Sequence, residues 1–162
     1  MQTFDVDLFV IGGGSGGVRA ARMSAQRGAR VALAEAVGTG GLGGTCVNVG
    51  CIPKKLYSYA AHYGHGFHES AGFGWEGAAP RFNWQTLKNN RRTEISRLNG
   101  VYQKLLVGNG VRVINGYARF VDAHTVEIAT TVDGKPVTER VTAKHILIAV
   151  GGQPSVAEFP GR

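Results

Sequence analysis

Residues 7–35, DLFVIGGGSGGVRAARMSAQRGARVALAE, contain the clearest structural pattern of the chain. The apolar run at 7–11 ends at glycine, as a strand buried on both faces does. A helical pattern follows at 15–27, with Gly28 as a candidate C-cap, and residues 30–35 form a second strand-like run. The pattern predicts one strand–helix–strand unit, and therefore a parallel sheet.

The glycines after the first strand fit the pattern G-x-G-x-x-G through Gly12, Gly14 and Gly17. Gly12 permits a tight turn, the bare backbone at Gly14 admits a pyrophosphate, and Gly17 lets helix and strand pack closely. Glu35 ends the second strand 18 residues after Gly17, where a carboxylate accepts hydrogen bonds from ribose hydroxyls. The unit predicts a dinucleotide site, without distinguishing FAD from NAD. A glycine-rich turn that binds no ligand is the alternative.

The middle of the chain predicts helices and loops. The expected elements are a glycine-filled loop at 36–44, a helix from Thr45 to about Tyr63 interrupted at Pro53, a loop at 64–82, and a long amphipathic helix from about Asn83 to Val107. One face of the long helix is expected to pack on the sheet.

The last third of the chain alternates as strands do. The expected strands are 111–114, 117–121, 125–129 and 137–142, with a hairpin turn at Asp133-Gly134 and a buried strand at 144–149. The fold class is therefore α/β: a Rossmann-like parallel sheet with helices, plus a small antiparallel β-meander.

Composition narrows the function classes. The chain has 162 residues, 43% of them hydrophobic, and its 25 glycines follow no repeat, which indicates one globular domain rather than a fibrous or disordered chain. Of the net charge of +7, the excess lies in residues 51–120, which hold ten Lys or Arg against three Glu. We interpret this as favouring a small anionic ligand over nucleic acid. No apolar run suits a membrane span and no signal peptide is evident, so a cytoplasmic protein is expected.

The two cysteines stand in GGTCVNVGCIPKK at Cys46 and Cys51. In a regular helix this spacing puts the Cα atoms about 8.6 Å apart, beyond the ~6.8 Å limit for a disulfide. A bridge would therefore need a distorted turn, which Asn48 and Gly50 permit. A pair near a helix N-terminus is expected to have a depressed thiol pKa and to exchange readily.

Two other interpretations of the cysteines stay open. Both cysteines could be inert buried residues, or they could join His62, His65 and His68 in a zinc site. Gly64 and Gly66 are expected to break the helix that would align these histidines, so we predict no metal site.

The dinucleotide turn followed by C-x4-C resembles the FAD-binding segment of the pyridine nucleotide-disulfide oxidoreductases. Within that family the chain is most similar to the glutathione reductases. The similarity extends over essentially the whole chain, through GGGSGG, GGTCVNVGCIPKK, SRLNGVY, NGYARF and ILIAVGG. Lys54-Lys55 after the proline is typical of glutathione and large thioredoxin reductases.

The resemblance implies the following roles. Cys51 matches the thiolate that takes electrons from the flavin, Cys46 matches the interchange thiol that attacks glutathione disulfide, and Lys54 matches an ammonium beside the flavin ring. The cofactor contacts that it implies are Gly12, Gly14, Ser15, Gly16, Gly17, Glu35, Gly44, Thr45, Cys46, Cys51, Lys54, Ala118 and Gly151. The implied substrate contacts are Ser15, Arg22 and Tyr102. Without the resemblance, Arg22 could be a solvated helix charge and Tyr102 a core aromatic.

The resemblance also implies a reaction larger than this chain. NADPH would reduce FAD, FAD would reduce the cysteine pair, and the dithiol would reduce glutathione disulfide in a homodimer. We expect 1–162 to be the FAD-binding part of a discontinuous domain, incomplete relative to the family fold, with the NADPH and dimer-interface domains absent. A large thioredoxin reductase and a non-catalytic FAD-binding module are the alternatives.

Overall fold

The computed structural model describes residues 3–36, 41–78 and 80–161. Its elements in chain order are β1 (Val6–Ile11), α1 (Ser15–Ala25), β2 (Val31–Glu35), α2 (Gly44–Asn48), α3 (Cys51–Glu69), a 3-10 turn (Ser70–Phe73), α4 (Trp84–Val107), β3 (Arg112–Phe120), β4 (Thr125–Val132) and β5 (Lys135–Ile148).

The strands form a parallel sheet and an antiparallel meander, as predicted. Strand β1 pairs in parallel with β2 on one side and with β5 on the other, and β2 pairs in parallel with β3. Strand β4 pairs antiparallel with both β3 and β5. The five strands therefore close into one ring. The predicted α/β fold class is confirmed.

Strands β3 and β5 are each continuous, where the sequence pattern predicts a break in both. Residues 112–115 of β3 pair with β2, and residues 116–120 pair with β4. Gly116 lies at this change of partner, where a Cβ would be 2.6 Å from the Ile128 side chain. The backbone changes its hydrogen-bonding partner from β2 to β4 while staying in strand geometry. The alternation of apolar and polar residues therefore changes at this point, although the strand does not end.

Two apolar clusters lie on the two faces of the parallel sheet. The inner cluster joins Phe9 and Ile11 to Ile128 and Val141 of the meander. The outer cluster joins Val10 and the residues of α1 to the end of α4. All five residues of β2 are buried, which explains its continuous apolar sequence.

The hairpin between β4 and β5 is confirmed at Asp133-Gly134. Asp133 has φ +50° and Gly134 has φ +75°. Two consecutive left-handed residues are typical of a type I′ turn, whose twist matches that of the paired strands.

The helix after the glycine loop differs from the prediction. Its interruption lies at Val49-Gly50, between α2 and α3, and not at Pro53. Pro53 occupies the first turn of α3, where a missing N–H costs no helical hydrogen bond. Thr45 lies inside α2, whose N-cap is Gly43.

Helix α3 runs to Glu69 through both Gly64 and Gly66, so the predicted loop from residue 64 is also wrong. An interior glycine costs a helix only about 1 kcal/mol, which a 19-residue helix tolerates.

Helix α4 begins as predicted, because the Asn83 side chain caps it by accepting the Thr86 N–H at 2.9 Å. Only its last turns pack on the sheet, through Tyr102, Leu105 and Leu106. The earlier part of the predicted face meets α3 instead, where the Arg91 guanidinium lies 5.7 Å from the centre of the Tyr57 ring. Within the described residues, no helix is long and apolar enough to cross a membrane.

Candidate functional site

The glycine turn between β1 and α1 is held by close backbone contacts. Gly12 has φ +106°, and a Cβ at Gly12 would lie 2.4 Å from the Ala149 oxygen at the end of β5. A Cβ at Gly17 would lie 1.9 Å from the Gly12 oxygen. Both positions therefore require glycine, for the tight turn and for the close helix–strand packing that the motif predicts.

The middle of the same turn is open. A Cβ at Gly14 would have only the Gly44 Cα nearby, at 3.8 Å, and one at Gly16 would meet no atom within 4 Å. The first N–H groups of α1 lie at this opening, and such groups have no partner inside the helix. The residues present therefore fit a pyrophosphate, which needs a bare backbone and free N–H donors.

Glu35 lies beneath the turn and not at its rim. Its side chain is buried, and its Oε2 accepts a hydrogen bond from the Gly13 N–H. This bond ties the end of β2 to the glycine turn. The predicted bond from Glu35 to a ribose stays a prediction.

A second glycine loop packs against the first. The Gly43 N–H donates to the Gly13 oxygen at 2.8 Å, and a Cβ at Gly44 would lie 2.8 Å from the Gly14 Cα. Gly43 and Gly44 have φ +99° and +61°. This second loop leads directly into α2, so it places the first cysteine close to the turn.

The two cysteines are brought together as free thiols. Cys46 lies half-buried in α2, and Cys51 is the exposed first residue of α3. The Cys51 side chain lies close enough to the Cys46 thiol to act on its pKa. Gly50 makes this possible, because its Cα packs so closely on α2 that a Cβ would lie 2.8 Å from the Thr45 oxygen. The helix is broken between the two cysteines, as a bridge between them would require. Cys51 is exposed, so the interpretation of both cysteines as buried residues is wrong.

The predicted depression of the thiol pKa is wrong for Cys46. Its hydrogen bond with the Cys51 side chain, and then its partial burial, raise the pKa of the Cys46 thiol above its usual value. The backbone N–H of Cys51 and the positive charge of Lys54 act in the opposite direction and are outweighed. A thiol that shares a proton with a neighbouring thiol keeps it more tightly than one facing cations alone.

A pocket of about 400 Å³ opens beside the first turn of α3. Its lining residues are Asn48, Val49, Pro53, Lys54, Tyr57 and Arg91. Two of the six, Lys54 and Arg91, are cations and none is acidic, so Lys54, the cation predicted to lie beside the flavin ring, lines an electropositive pocket.

The predicted substrate residues lie on two helices. Arg22 is half-buried on α1, and its Nε is buried without a hydrogen-bond partner among the described residues. Tyr102 of α4 packs against the outer apolar cluster. In the described part of the chain, no hydrogen bond joins Arg22 or Tyr102 to either cysteine.

The remaining residues predicted to contact the cofactor lie on or next to several different elements of the fold. Ser15 is the exposed first residue of α1, and Thr45 is exposed on α2. Gly151 follows the end of β5, two residues after the Ala149 that contacts Gly12. Ala118 lies on β3 opposite Ile128, in the part of that strand that belongs to the meander.

The predicted helix break among the three histidines is wrong. Because α3 continues through Gly64 and Gly66, His62, His65 and His68 lie on one helix after all. Even so, nowhere in 3–36, 41–78 and 80–161 do three or more metal-ligating side chains come together.

Sequence reasoning assigned no binding role to Asn99 and used Asn48 only as a residue that permits a distorted turn. Asn99 on α4 donates from Nδ2 to the Leu42 oxygen at 2.7 Å and to the Asn48 Oδ1 at 3.0 Å. No local signal could reveal this pair, because its members lie 51 positions apart.

Comparison with known proteins agrees with this geometry. The chain matches the family described as "Pyridine nucleotide-disulphide oxidoreductase" over residues 6–162. The chain belongs to this family, and the predicted resemblance is confirmed. FAD binding is a property that membership of the family implies.

The relatives are reductases of two kinds. The chain is 46% identical to a chloroplastic/mitochondrial glutathione reductase of Pisum sativum and 47% identical to a glutathione reductase of Burkholderia cepacia, over 99% of its own length in each case. It is also 47% identical, over 96% of its length, to thioredoxin reductase SEP1 of Emiliania huxleyi. The chain spans 29%, 33% and 32% of these three proteins, about a third of each.

Proposed function

We propose that this chain forms the FAD-binding and dithiol part of an NADPH-dependent reductase of glutathione disulfide. The observation that carries the proposal is the contact between Cys46 and Cys51 directly after a glycine loop that packs on a pyrophosphate-type turn. A dithiol and a dinucleotide turn in this proximity suit electron transfer between a cofactor and a disulfide substrate.

The chain's own residues would hold the cofactor in three places. The open turn at Gly14 and the N-terminus of α1 would bind the pyrophosphate, Glu35 would bind the adenosine ribose, and Cys51 and Lys54 would face the flavin. The further residues that we assign to this site are Gly12, Ser15, Gly16, Gly17, Gly44, Thr45, Cys46, Ala118 and Gly151. FAD, when bound, supplies electrons from NADPH to a disulfide.

The cysteine pair would reduce the substrate by two exchanges. Deprotonated Cys46 attacks one sulfur of glutathione disulfide, the S–S bond breaks, and one glutathione leaves as a thiolate that takes up a proton. Deprotonated Cys51 then attacks the Cys46 sulfur, forms the intramolecular disulfide and releases the second glutathione as a thiolate. The pair loses the two electrons that the substrate gains.

The raised pKa of Cys46 has a consequence for this scheme. The dithiol retains the Cys46 proton at neutral pH, so the first exchange needs a base to remove it. Among the described residues, the groups that act on the pKa of Cys46 include no carboxylate and no imidazole. The family resemblance implies a catalytic acid, a His-Glu pair, on the partner subunit of a homodimer. We propose that the deprotonated form of that pair is the base.

Glutathione carries carboxylates, and Arg22 supports the proposal that glutathione disulfide is the substrate because it could bind one of them. The buried Nε of Arg22 is a donor without a partner among the described residues, and burying such a donor is costly until an acceptor binds. Ser15 and Tyr102 are proposed as further substrate contacts. NADPH preference, the homodimer and the cytoplasmic location stay predictions.

A second candidate is a large thioredoxin reductase, because one of the similar proteins carries that name at the same level of identity as the glutathione reductases. The dithiol would then reduce a protein disulfide, and Arg22 would have no carboxylate to bind. The non-catalytic FAD-binding module is the remaining alternative.

Substrate assays separate these candidates. Turnover is measured in the longest open reading frame that carries this chain, as NADPH oxidation with either glutathione disulfide or thioredoxin. We expect turnover with glutathione disulfide, and its loss in both Cys46→Ser and Cys51→Ser. Turnover with thioredoxin alone would establish the second candidate, and FAD binding without turnover would establish the module.

Arg22→Ala tests the carboxylate contact in the same assay. A lost charge-assisted hydrogen bond is worth about 1.5–3 kcal/mol, so the KM for glutathione disulfide should rise at least about tenfold and the KM for NADPH should not change. Arg19→Ala, an exposed arginine on the same helix, is the matched control. An unchanged KM for glutathione disulfide would remove Arg22 from the substrate site.

A further inference from the structure

Two asparagine side chains form a buried hydrogen-bond network around the second glycine loop. Asn48, the last residue of α2, is buried and donates from Nδ2 to the Gly44 oxygen at 2.9 Å and the Gly41 oxygen at 3.0 Å. Asn99 of α4 donates from Nδ2 to the Leu42 oxygen at 2.7 Å and to the Asn48 Oδ1 at 3.0 Å. Two side-chain amides thus hold three carbonyl groups of one short loop.

This network acts on a helix that cannot stand alone. Helix α2 has five residues, which is far below the length at which an isolated helix is stable in water. It is anchored at one end by the loop that Asn48 and Asn99 hold, and by the buried side chain of Val47. An apolar anchor limits how far α2 can move, whereas hydrogen bonds also fix its direction.

The direction of α2 matters because Cys46 lies on it and Cys51 does not. Cys51 begins α3, and Val49 and Gly50 form the chain connection between the two helices. The thiol contact therefore depends on the angle between α2 and α3. Asn99 lies on α4, which contacts α2, α3 and α1, so it connects this angle to the rest of the fold.

We propose that Asn99 is a positioning residue for the dithiol. Through Asn48 it fixes the direction of α2, and so sets how readily Cys46 and Cys51 form a disulfide. This inference rests on the proposed role of the two cysteines as a redox pair. The reaction concerned converts two thiols and one glutathione disulfide into the intramolecular disulfide and two molecules of glutathione, with two electrons passing from the cysteines to glutathione.

The test measures this equilibrium in the protein of the longest open reading frame that carries this chain. The chain is equilibrated without oxygen in buffers of graded glutathione to glutathione disulfide ratio, quenched by alkylation, and the dithiol and disulfide are counted by mass. Asn99→Leu removes the amide at similar volume. We expect the equilibrium constant for disulfide formation to fall about fivefold, because a lost network of hydrogen bonds worth about 1 kcal/mol loosens the thiol contact.

Two comparisons make the result specific. Asn109→Leu is the matched control, since Asn109 also donates from Nδ2 to a backbone carbonyl, that of Leu105 at 2.7 Å, without touching the loop. Its equilibrium constant should equal that of the unmodified chain. Asn48→Ala should lower the constant, and combining it with Asn99→Leu should lower it no further, because the two residues act as one unit.

The outcomes separate this inference from the proposed function. If the unmodified chain forms no intramolecular disulfide at any ratio, the proposed function fails and the inference fails with it. If it does form the disulfide and the folded Asn99→Leu variant has the same constant, only the inference is overturned. Should Asn99→Leu not fold by circular dichroism, Asn99→Ser, which is too short to reach both acceptors, is measured against the same expectation.

Discussion

The β-strands with α1 and α2, here called the sheet body, differ sharply from the helical arm of residues 54–78 and 80–105. Phe9 and Val10 of the sheet body are fully buried, whereas Phe73 and Trp75 of the helical arm are 85% and 76% exposed. Not one described residue of the arm is classed as buried. Aromatic content alone therefore does not locate the core, and the folding energy of this chain is concentrated in the sheet body.

The glycines of the sheet body and of the helical arm also differ in the space around them. Gly12 and Gly17 of the sheet body stand where a Cβ would strike backbone, while Gly64, Gly66 and Gly100 of the helical arm have open space around them. A high glycine content thus has two meanings in one chain. At Gly12 and Gly17 glycine is required by close approach, whereas at Gly64, Gly66 and Gly100 it only weakens a helix.

The largest expected effect is at Gly17. Its Cβ in Gly17→Ala would lie 1.9 Å from the Gly12 oxygen, so α1 and β1 must separate. We expect a loss of at least about 3 kcal/mol in the free energy of unfolding, the upper end for overpacking, measured by urea denaturation. Gly16→Ala, one position earlier with no atom within 4 Å, is the control and should unfold near the original urea concentration. Equal stability of the two variants would show that the turn is not tightly packed.

Gly14 should separate binding from folding. A Cβ in Gly14→Ala meets only the Gly44 Cα at an ordinary 3.8 Å, so the fold should persist, but the methyl group occupies the space of a pyrophosphate. A clash of about 1.4 kcal/mol or more would raise the dissociation constant for FAD at least about tenfold. Flavin titration with Gly100→Ala of the helical arm as control measures this. Full FAD affinity in Gly14→Ala would place the cofactor elsewhere.

The sheet body and the helical arm also differ in how their ion pairs should make stability depend on pH. Glu127 of the sheet body is buried and accepts hydrogen bonds from Arg119 and Arg140, which lower the pKa of its carboxyl below the usual 4.5. Glu94 of the helical arm forms a surface ion pair with Arg97, and the pKa of its carboxyl is lowered too. A carboxyl whose pKa is lower in the folded state stabilises the fold above its unfolded pKa, and this contribution is lost as the pH falls through the folded value.

Glu127→Gln should therefore lower the urea midpoint at pH 7, and the difference should shrink once the pH falls below about 4.5 and vanish below the folded pKa. Glu94→Gln should change the midpoint little at any pH, because exposed pairs contribute little. The measurement is urea denaturation of both variants at pH 7 and at acid pH. A midpoint for Glu127→Gln that stays low by the same amount at all pH values would show that packing, and not charge, is responsible.

The difference between the two regions also explains which predictions succeed. The strand–helix–strand unit follows from the sequence because its apolar runs, its glycines and Glu35 are close in the chain and each has one steric or hydrogen-bonding reason. The hairpin at Asp133-Gly134 is predictable for the same reason. These are local rules.

The errors arise where the deciding contact is distant or the local rule is weak. Pro53 was expected to break a helix, but its place in the first turn is fixed by the break at Gly50, which follows from packing on Thr45. Gly64 and Gly66 were expected to end α3, although the penalty of an exposed glycine is small. Asn99 reaches a carbonyl 57 positions away, which no periodicity shows.

The smallest expected effect is a gain in stability, at Gly66. Gly66 lies inside α3 with no atom within 4 Å of a Cβ built on it, so Gly66→Ala adds a methyl group without a clash. Alanine restricts the unfolded chain and favours the helix, and the free energy of unfolding should rise by about 0.5–1 kcal/mol. Gly74→Ala is the matched control, because Gly74 has equally open space but φ +83°, which strains an alanine. A urea midpoint that rises for Gly66→Ala and falls for Gly74→Ala fits a helical arm governed by helix propensity. An unchanged midpoint for Gly66→Ala would mean that α3 contributes nothing to the stability of the chain, and the contrast would then lie between a folded sheet body and an arm that is not helical in solution.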